Sequence, residues 1–307
     1  MRWKKCGLVY KAGYIHPKLC SHAANPLAMW LEGDIYRVFF SGRDQENRSS
    51  VGFADVDIVR REVLNVHDRP IFVHGREGSF YSHGVSIGNL YEVNSTQYLL
   101  FMGWQYPPGE HWRGEIGRLV LHNNYMLELD GEEPFMPRNG SDPISLSYPW
   151  VIRGANGIWQ MWYGSTVTWD PGNGEMLHVI NHAFSKDGHH WQREGLAVPY
   201  QLGVAQAFSR PTVIADGDGY HMWFSYRNGT GQAYRIGCAL SETGNRSDWI
   251  LRLASAGIDV STRGWDSEMI EYPFVFIHKE EIYMLYNGNG YGETGFGLAV
   301  MDEKISR

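Results

Sequence analysis

Residues 148–191 read YPWVIRGANGIWQMWYGSTVTWDPGNGEMLHVINHAFSKDGHHW, and this stretch decides the fold. An apolar strand opens behind a proline (YPWVI, 148–152), a second ends in aromatic and small residues (WYGST, 162–166), and a third follows (INHAFSKDG, 180–188). Glycines stand at the hairpins between them, where tight turns need them. A Trp-containing fourth strand closes the unit (DGHHWQREG, 187–195).

The same signature recurs on both sides. Strands ending in aromatic and small residues are FFSGR (39–43), FMGW (101–104), WYGST, FSYR (224–227) and LYNGN (285–289), spaced by 61 or 62 residues four times running. About fourteen residues upstream of each, or seventeen in the second, an apolar strand begins with proline or glycine: NPLAMW from Asn25, HGVSIG from His83, YPWVI, RPTVI from Arg210 and YPFVF from Tyr272. Downstream come VGFADVD (51–57), IGRLVLH (116–122), INHAFSKDG, IGCALSETG (236–244) and TGFGLAV (294–300). Four-strand repeats of this length are propeller blades rather than solenoid turns. The expectation is an all-β chain, a five-bladed β-propeller forming a single domain over 1–307. Its blades fall near 20–75, 80–135, 143–200, 205–255 and 266–307. The last unit lacks a fourth strand, which the N-terminal strand at 7–10 supplies, closing the ring and removing exposed sheet edges.

Composition fits. The chain has 307 residues, 43% of them hydrophobic, which excludes intrinsic disorder. Its 36 Gly, 12 Trp, 18 Tyr and 13 Phe suit short strands and tight turns. A net charge of −7 leaves no footprint for nucleic acid or an anionic membrane. Among the cations, 20 Arg stand against 7 Lys, which reflects either genomic preference or an anion site, since arginine's planar fork matches carboxylates and phosphates. Three cysteines without CxxC spacing indicate neither a disulfide framework nor a zinc finger. The opening MRWKKCGLVYKAGY has no signal-peptide apolar core, and no apolar run approaches membrane-spanning length. The expected setting is cytoplasmic, with a small-molecule or oligosaccharide substrate, no nucleic-acid or membrane partner and no cofactor. The oligomeric state stays open.

The residue before each proline or glycine is Asn25, His83, Tyr148, Arg210 or Tyr272, a polar or aromatic set suited to lining a ligand pocket. One position earlier stand Ala24, Ser82, Ser147, Ser209 and Glu271, of which only Glu271 is acidic. It lies in WDSEMIEYPF (265–274), where Glu268 and Glu271 project to opposite faces of an extended chain. Crowding with Asp266 raises the pKa of one of them and leaves a proton donor near neutral pH; alternatively these acids cap a turn. The second strands end at Arg43 and Asp44, Trp104, Thr166, Arg227, then Asn287 and Asn289. Arg43, Arg210, Arg227 and Arg235 are candidates to converge on an anion. Trp104, Trp112 and Trp169 either stack on sugar faces or pack the blades. His22, His83, His178 and His182 fall near inner-strand positions, and hydrogen bonding to hydroxyl or anionic groups is favoured over a metal, which is not expected. No P-loop or dinucleotide fingerprint is present.

With x-P-h-h-h strand starts, aromatic-aromatic-small strand ends and the S-x-D-G-x-x-W exit SKDGHHW (185–191), nearly the whole chain resembles the five-bladed propeller glycosidases. These are the arabinanase/xylosidase and invertase-like enzymes and the mannoside phosphorylases. SGRDQENRSSVGFADVD (41–57), MWFSYRNG (222–229), YRIGCALS (234–241) and YMLYNGNGYGETGFGLAV (283–300) are most similar to uncharacterised glycosidase-like propellers of polysaccharide-biosynthesis clusters. The resemblance implies a general-base Asp before the first proline, an orienting Asp in the second blade and a general-acid Glu in the third. Here those places hold Asn25, Ser82-His83 and Ser147-Tyr148. Ordinary two-carboxylate hydrolysis is therefore not matched.

The expectation is a carbohydrate-active, glycoside hydrolase-like enzyme acting on a glycosidic bond of an anionic or phosphate-bearing sugar. Glu271 or Glu268 is its acid, and His83 or Asp44 its base or orienter. His22, Asn25, Arg43, Trp104, Tyr148, His178, His182, Arg210, Arg227, Arg235, Tyr272, Asn287 and Asn289 bind substrate. A glycoside phosphorylase, a non-catalytic sugar-binding propeller and one recruited to another biosynthetic transformation are the alternatives.

Overall fold

The computed structural model describes residues 1–123, 125–217 and 219–303. Positions 124, 218 and 304–307, which the expected second, fourth and fifth units include, lie outside the described residues. The described residues form twenty strands joined by turns and loops, and their helix is limited to one 3-10 turn at Leu253–Ser255. No helix among them is long and apolar enough to cross a membrane.

Strand β1 (Arg2–Tyr10) leads into four antiparallel groups in chain order. The first is β2 (Ser21–Glu32), β3 (Ile35–Arg43), β4 (Ser49–Asp57) and β5 (Glu62–Val66), and the second is β6 (Gly84–Val93), β7 (Thr96–Gln105), β8 (Arg113–His122) and β9 (Met126–Leu129). The third is β10 (Leu146–Arg153), β11 (Trp159–Thr168), β12 (Leu177–Ser185) and β13 (Gln192–Leu196). The fourth is β14 (Gln206–Asp216), β15 (Gly219–Arg227), β16 (Arg235–Ser241) and β17 (Ile250–Leu251). A last sheet runs β18 (Glu271–His278), β19 (Glu281–Asn287) and β20 (Phe296–Glu303), with β1 antiparallel on β20 as its fourth strand. A single parallel pairing, Ser49 with Gly84, joins the first two groups into one eight-stranded sheet. Central strands are buried along most of their length, as β11 is from Trp159 to Thr166, because neighbouring groups cover both faces.

Proline shapes the start of four of the five groups. It has no N–H to give the ladder, so the register slips where it stands. Shifts occur at Ala24/Leu27, Ser147/Trp150, Ser209/Thr212 and Glu271/Phe274. The residue before each of these four prolines has a positive φ: 55° at Asn25, 34° at Tyr148, 47° at Arg210 and 52° at Tyr272. The second group differs from the sequence expectation. Its slip falls between Ile87 and Leu90, so Gly88 and Asn89 hold the place of x-Pro, and His83 precedes the strand.

Side chains link each group to the next. Ser41 Oγ accepts from Ile87 N (3.2 Å), Asn89 Oδ1 accepts from Val151 N (3.1 Å), and Trp150 Nε1 donates to Val213 O (3.1 Å). Thr212 Oγ1 accepts from Val275 N (3.1 Å), and Asn287 Oδ1 accepts from Asn25 N (2.8 Å), returning from the last group to the first.

Candidate functional site

The starts of β2, β10, β14 and β18, the ends of β3, β7 and β15 and the loops after them enclose a cavity of about 380 Å³. Every group contributes to its lining. Asn25, Arg43 and Ser49 come from the first, Ser86, Trp104 and Trp112 from the second, and Ser147, Tyr148 and His178 from the third. Ser209, Arg227 and Tyr234 come from the fourth, and Tyr272 and Tyr291 from the last. The walls are therefore aromatic and hydroxyl-bearing. Among the described lining residues the formal charges are the guanidinium groups of Arg43 and Arg227.

Beneath this lining lies Glu271. It is fully buried, and neither carboxyl oxygen has a hydrogen-bond partner. Burial drives its pKa well above the ordinary carboxylate value, while Arg227 and Arg43, close enough to act on its charge, pull the other way. The protonated acid is favoured because no donor is present to satisfy a charged one. Nearby, Asn25 Oδ1 is also buried without a partner.

Arg227 is held from one side only. Its Nη2 donates to Glu175 Oε1 at 2.7 Å and its guanidinium lies 4.7 Å from the centre of the Tyr234 ring, yet its buried Nε has no partner. The Arg43 side chain makes no hydrogen bond or ion pair among the described residues.

His178 stands between two hydroxyls. Its Nε2 is 2.6 Å from Ser147 Oγ and its Nδ1 2.7 Å from Thr166 Oγ1. Burial lowers its pKa to about 3, so the ring is neutral at physiological pH. Gly164 makes room for this contact: a Cβ there would lie 2.1 Å from Ser147 Oγ and 2.3 Å from His178 Nε2. Elsewhere in the lining Trp104 Nε1 donates to Ser49 Oγ at 3.1 Å.

Seven of the residues expected from sequence thus line one cavity: Asn25, Arg43, Trp104, Tyr148, His178, Arg227 and Tyr272. The others sit elsewhere. Glu268 is exposed on the segment before β18. Asp44 is buried in an ionic cluster with Arg48, Lys18 and His74. His83 packs behind Trp104 and takes the Tyr106 N–H on Nδ1. His22 bonds Ser21, and burial lowers its pKa to about 4. His182 pairs with Glu194 at 2.9 Å, while Arg235 pairs with Asp259 and donates to the Glu268 carbonyl. Asn287 is consumed by backbone groups of Ala23, Asn25 and Gly295. Asn289 is taken up by the amides of Glu268 and Met269.

Arg210 is the largest departure. It is fully buried and donates to five carbonyls, those of Asn25, Pro26, Ile87, Tyr272 and Pro273, which come from three other groups. It ties the strand starts together and lies outside the cavity lining. The lining residues that sequence reading missed include Ser41, Ser49, Ser86, Tyr234 and Tyr291. The tyrosines follow Gly-rich loops, a signal that was readable, whereas the serines carry none.

No protein-family model matches the chain. Two curated proteins do, both uncharacterised proteins of Mycobacterium tuberculosis, from strains CDC 1551 / Oshkosh and ATCC 25618 / H37Rv. Each is 41% identical over 304 residues, spanning 98% of this chain and 100% of the relative. The chain belongs to their family. This chain shares its fold with glycoside hydrolase-like propellers. A solved glycoside hydrolase superposes with a TM-score of 0.76 at 13% identity, covering 99% of this chain and 93% of that one. A structure described with the GH130 family of mannoside phosphorylases, which contains glycoside hydrolases that target beta-1,2 mannosidic linkages in Candida mannan, gives 0.72 at 11%, covering 99% and 95%. An endo-arabinase from Bacteroides thetaiotaomicron gives 0.65 at 14%, covering 94% and 97%. At these identities the likeness is one of fold.

Proposed function

We propose that the cavity takes a sugar bearing an anionic group and that the protein breaks or transfers a glycosidic bond there. The observation that carries this reading is the meeting of two incompletely paired arginines, Arg43 and Arg227, with a buried, unpartnered Glu271 under one aromatic pocket. The arginines hold the anion, and the tyrosines and tryptophans cover the sugar faces. Glu271, favoured in its protonated form, gives its proton to the leaving glycosidic oxygen as the C–O bond breaks. The Glu271 carboxylate so formed is stabilised by Arg43 and Arg227, and the incoming nucleophile returns a proton to it.

The nucleophile is either water or phosphate. Phosphorolysis is the second reading, favoured by Asn25 at the place where the resemblance implies a base, and by the lack of a carboxylate among the described lining residues. The same proposal takes the five antiparallel groups as blades of one ring-shaped domain over 1–307. Support comes from the side-chain links that run from group to group and back, and from β1 completing the last sheet.

The test is turnover of a panel of methyl uronides and phosphorylated methyl glycosides, whose alkoxide leaving groups need the acid, with and without inorganic phosphate. Glu271→Gln is expected to lower turnover by about 100-fold or more, the usual scale of general-acid catalysis. Full turnover in that variant would refute the mechanism, and binding without turnover in the native protein would leave a sugar-binding propeller.

A further inference from the structure

Glu175 sits on the loop between β11 and β12, and its placement is specific. Its Oε1 accepts from Arg227 Nη2 at 2.7 Å and from the Met176 amide at 2.9 Å. The loop itself is pinned from below. Gln206, fully buried on β14, donates through Nε2 to the carbonyls of Glu175 (3.3 Å) and Met176 (3.2 Å). Its Oε1 accepts from Asn173 Nδ2 at 2.7 Å. Both partners of the ion pair are mostly shielded, at 23% side-chain exposure for Arg227 and 17% for Glu175. An ion pair in this setting is screened far less than one on an open surface.

Resting on the anionic-sugar reading of the cavity, we propose that Glu175 is a specificity-determining countercharge that favours a singly charged sugar acid over a doubly charged sugar phosphate. The charges that face the pocket are few. Arg43 and Arg227 line it, and Glu175 neutralises one of them. His178 and His22 are neutral at physiological pH, and Glu271 is favoured in its protonated form. Arg210, beneath the floor, has its charge spread over five carbonyls. Arg43 lines the pocket without an ion-pair partner among the described residues, whereas Arg227 is paired with Glu175 and keeps only a buried Nε unpartnered. A carboxylate matches that balance. A phosphate monoester brings a second negative charge against Glu175, which costs affinity through like-charge juxtaposition.

The experiment is calorimetric titration of the full chain with D-glucuronate and with D-glucose 1-phosphate at pH 7.5, where a phosphate monoester with a second pKa of about 6 is mostly doubly charged. It is run on the native protein, Glu175→Gln and Arg43→Gln. Glutamine keeps the shape and the acceptor for the Met176 amide while removing the charge. Glu175→Gln is expected to tighten glucose 1-phosphate about tenfold relative to glucuronate, the scale of a partly shielded charge contact. If both probes shift alike, or neither shifts, while Arg43→Gln still abolishes glucuronate binding, the proposal is overturned and the anionic-sugar reading stands. If neither probe binds any of the three proteins, or Arg43→Gln binds as the native protein does, both fall together.

Discussion

The guanidinium of Arg210 donates through Nη1 to the carbonyl of Tyr272 at 2.9 Å, linking the start of β14 to the start of β18. Four more carbonyls, those of Asn25, Pro26, Ile87 and Pro273, complete its surroundings. Slips in register at Pro26, at Pro273 and at Gly88-Asn89 turn those carbonyls toward one another, and one planar cation satisfies them together. Burial lowers the Arg210 pKa to about 9, which still leaves it charged at neutral pH. Arg210→Met strands several buried acceptors and is expected to cost about 3 kcal/mol or more. Arg210→Lys, a point charge with three donors, recovers only part of this. Urea denaturation midpoints decide it, and an Arg210→Met protein as stable as the native one would show that the carbonyls do not need the cation.

Glu271 ties stability to pH. Its folded-state pKa is raised by burial above 4.5, so from pH 4.5 upward the unfolded chain releases a proton that the folded protein keeps. The folded state then binds more protons, and stability falls as pH rises until the folded pKa is passed. Glu271→Gln removes this loss. Its stability advantage is expected to be absent well below pH 4.5 and to grow above it, with a slope that approaches about 1.4 kcal/mol per pH unit until the folded pKa is neared. A difference between the two proteins that does not change with pH would contradict the buried neutral acid.

His178 works in the opposite direction. Burial lowers its pKa from 6.5 to about 3, so as pH falls through this window the unfolded chain takes up a proton that the folded ring refuses. The stabilisation is fully present above pH 6.5 and is lost progressively towards pH 3. Replacing His178 with Gln, which titrates nowhere in that range, is expected to flatten the acid limb of a melting-temperature profile. Parallel acid limbs in the two proteins would place the linkage on other groups.

The Ser147–His178 contact depends on an absent side chain. Gly164→Ala puts a methyl 2.1 Å from Ser147 Oγ, so the hydroxyl and the ring must part. The expected cost is about 1–3 kcal/mol, the usual price of overpacking, together with a distorted pocket wall. Gly13→Ala, where a Cβ meets nothing within 4 Å, is the matched control and is expected to be near neutral. Equal thermal melts for both variants would mean that the wall yields without cost.

The repeat made much of the sheet arrangement legible, because proline, aromatic and glycine positions carry local physics that recurs every 61 or 62 residues. In the second group Gly88 and Asn89 replace x-Pro, so a strand start sought at proline or glycine falls on His83-Gly84, seventeen residues ahead of FMGW instead of about fourteen. Arg210 reads as a ligand-binding arginine because a charge at a strand start looks functional. That five carbonyls from distant segments absorb it is a tertiary fact with no local trace. Glu271 and Glu268 were separable by strand alternation in principle, and they do differ, one fully buried and one exposed. Glu175 carries no sequence signal of its own, and its pairing is set by where Arg227 reaches in the folded chain.

The proposed reading of an anionic sugar group by Arg43 and Arg227 is tested most directly by comparing D-glucuronate with D-glucose. The two probes differ at one carbon, where a carboxylate replaces a hydroxymethyl. In calorimetric titrations glucuronate is expected to bind about tenfold or more tightly than glucose, as a charge-assisted arginine contact implies, and Arg43→Gln combined with Arg227→Gln to erase the difference. Equal affinity for the two sugars in the native protein, or a preference that survives loss of both arginines, would contradict it.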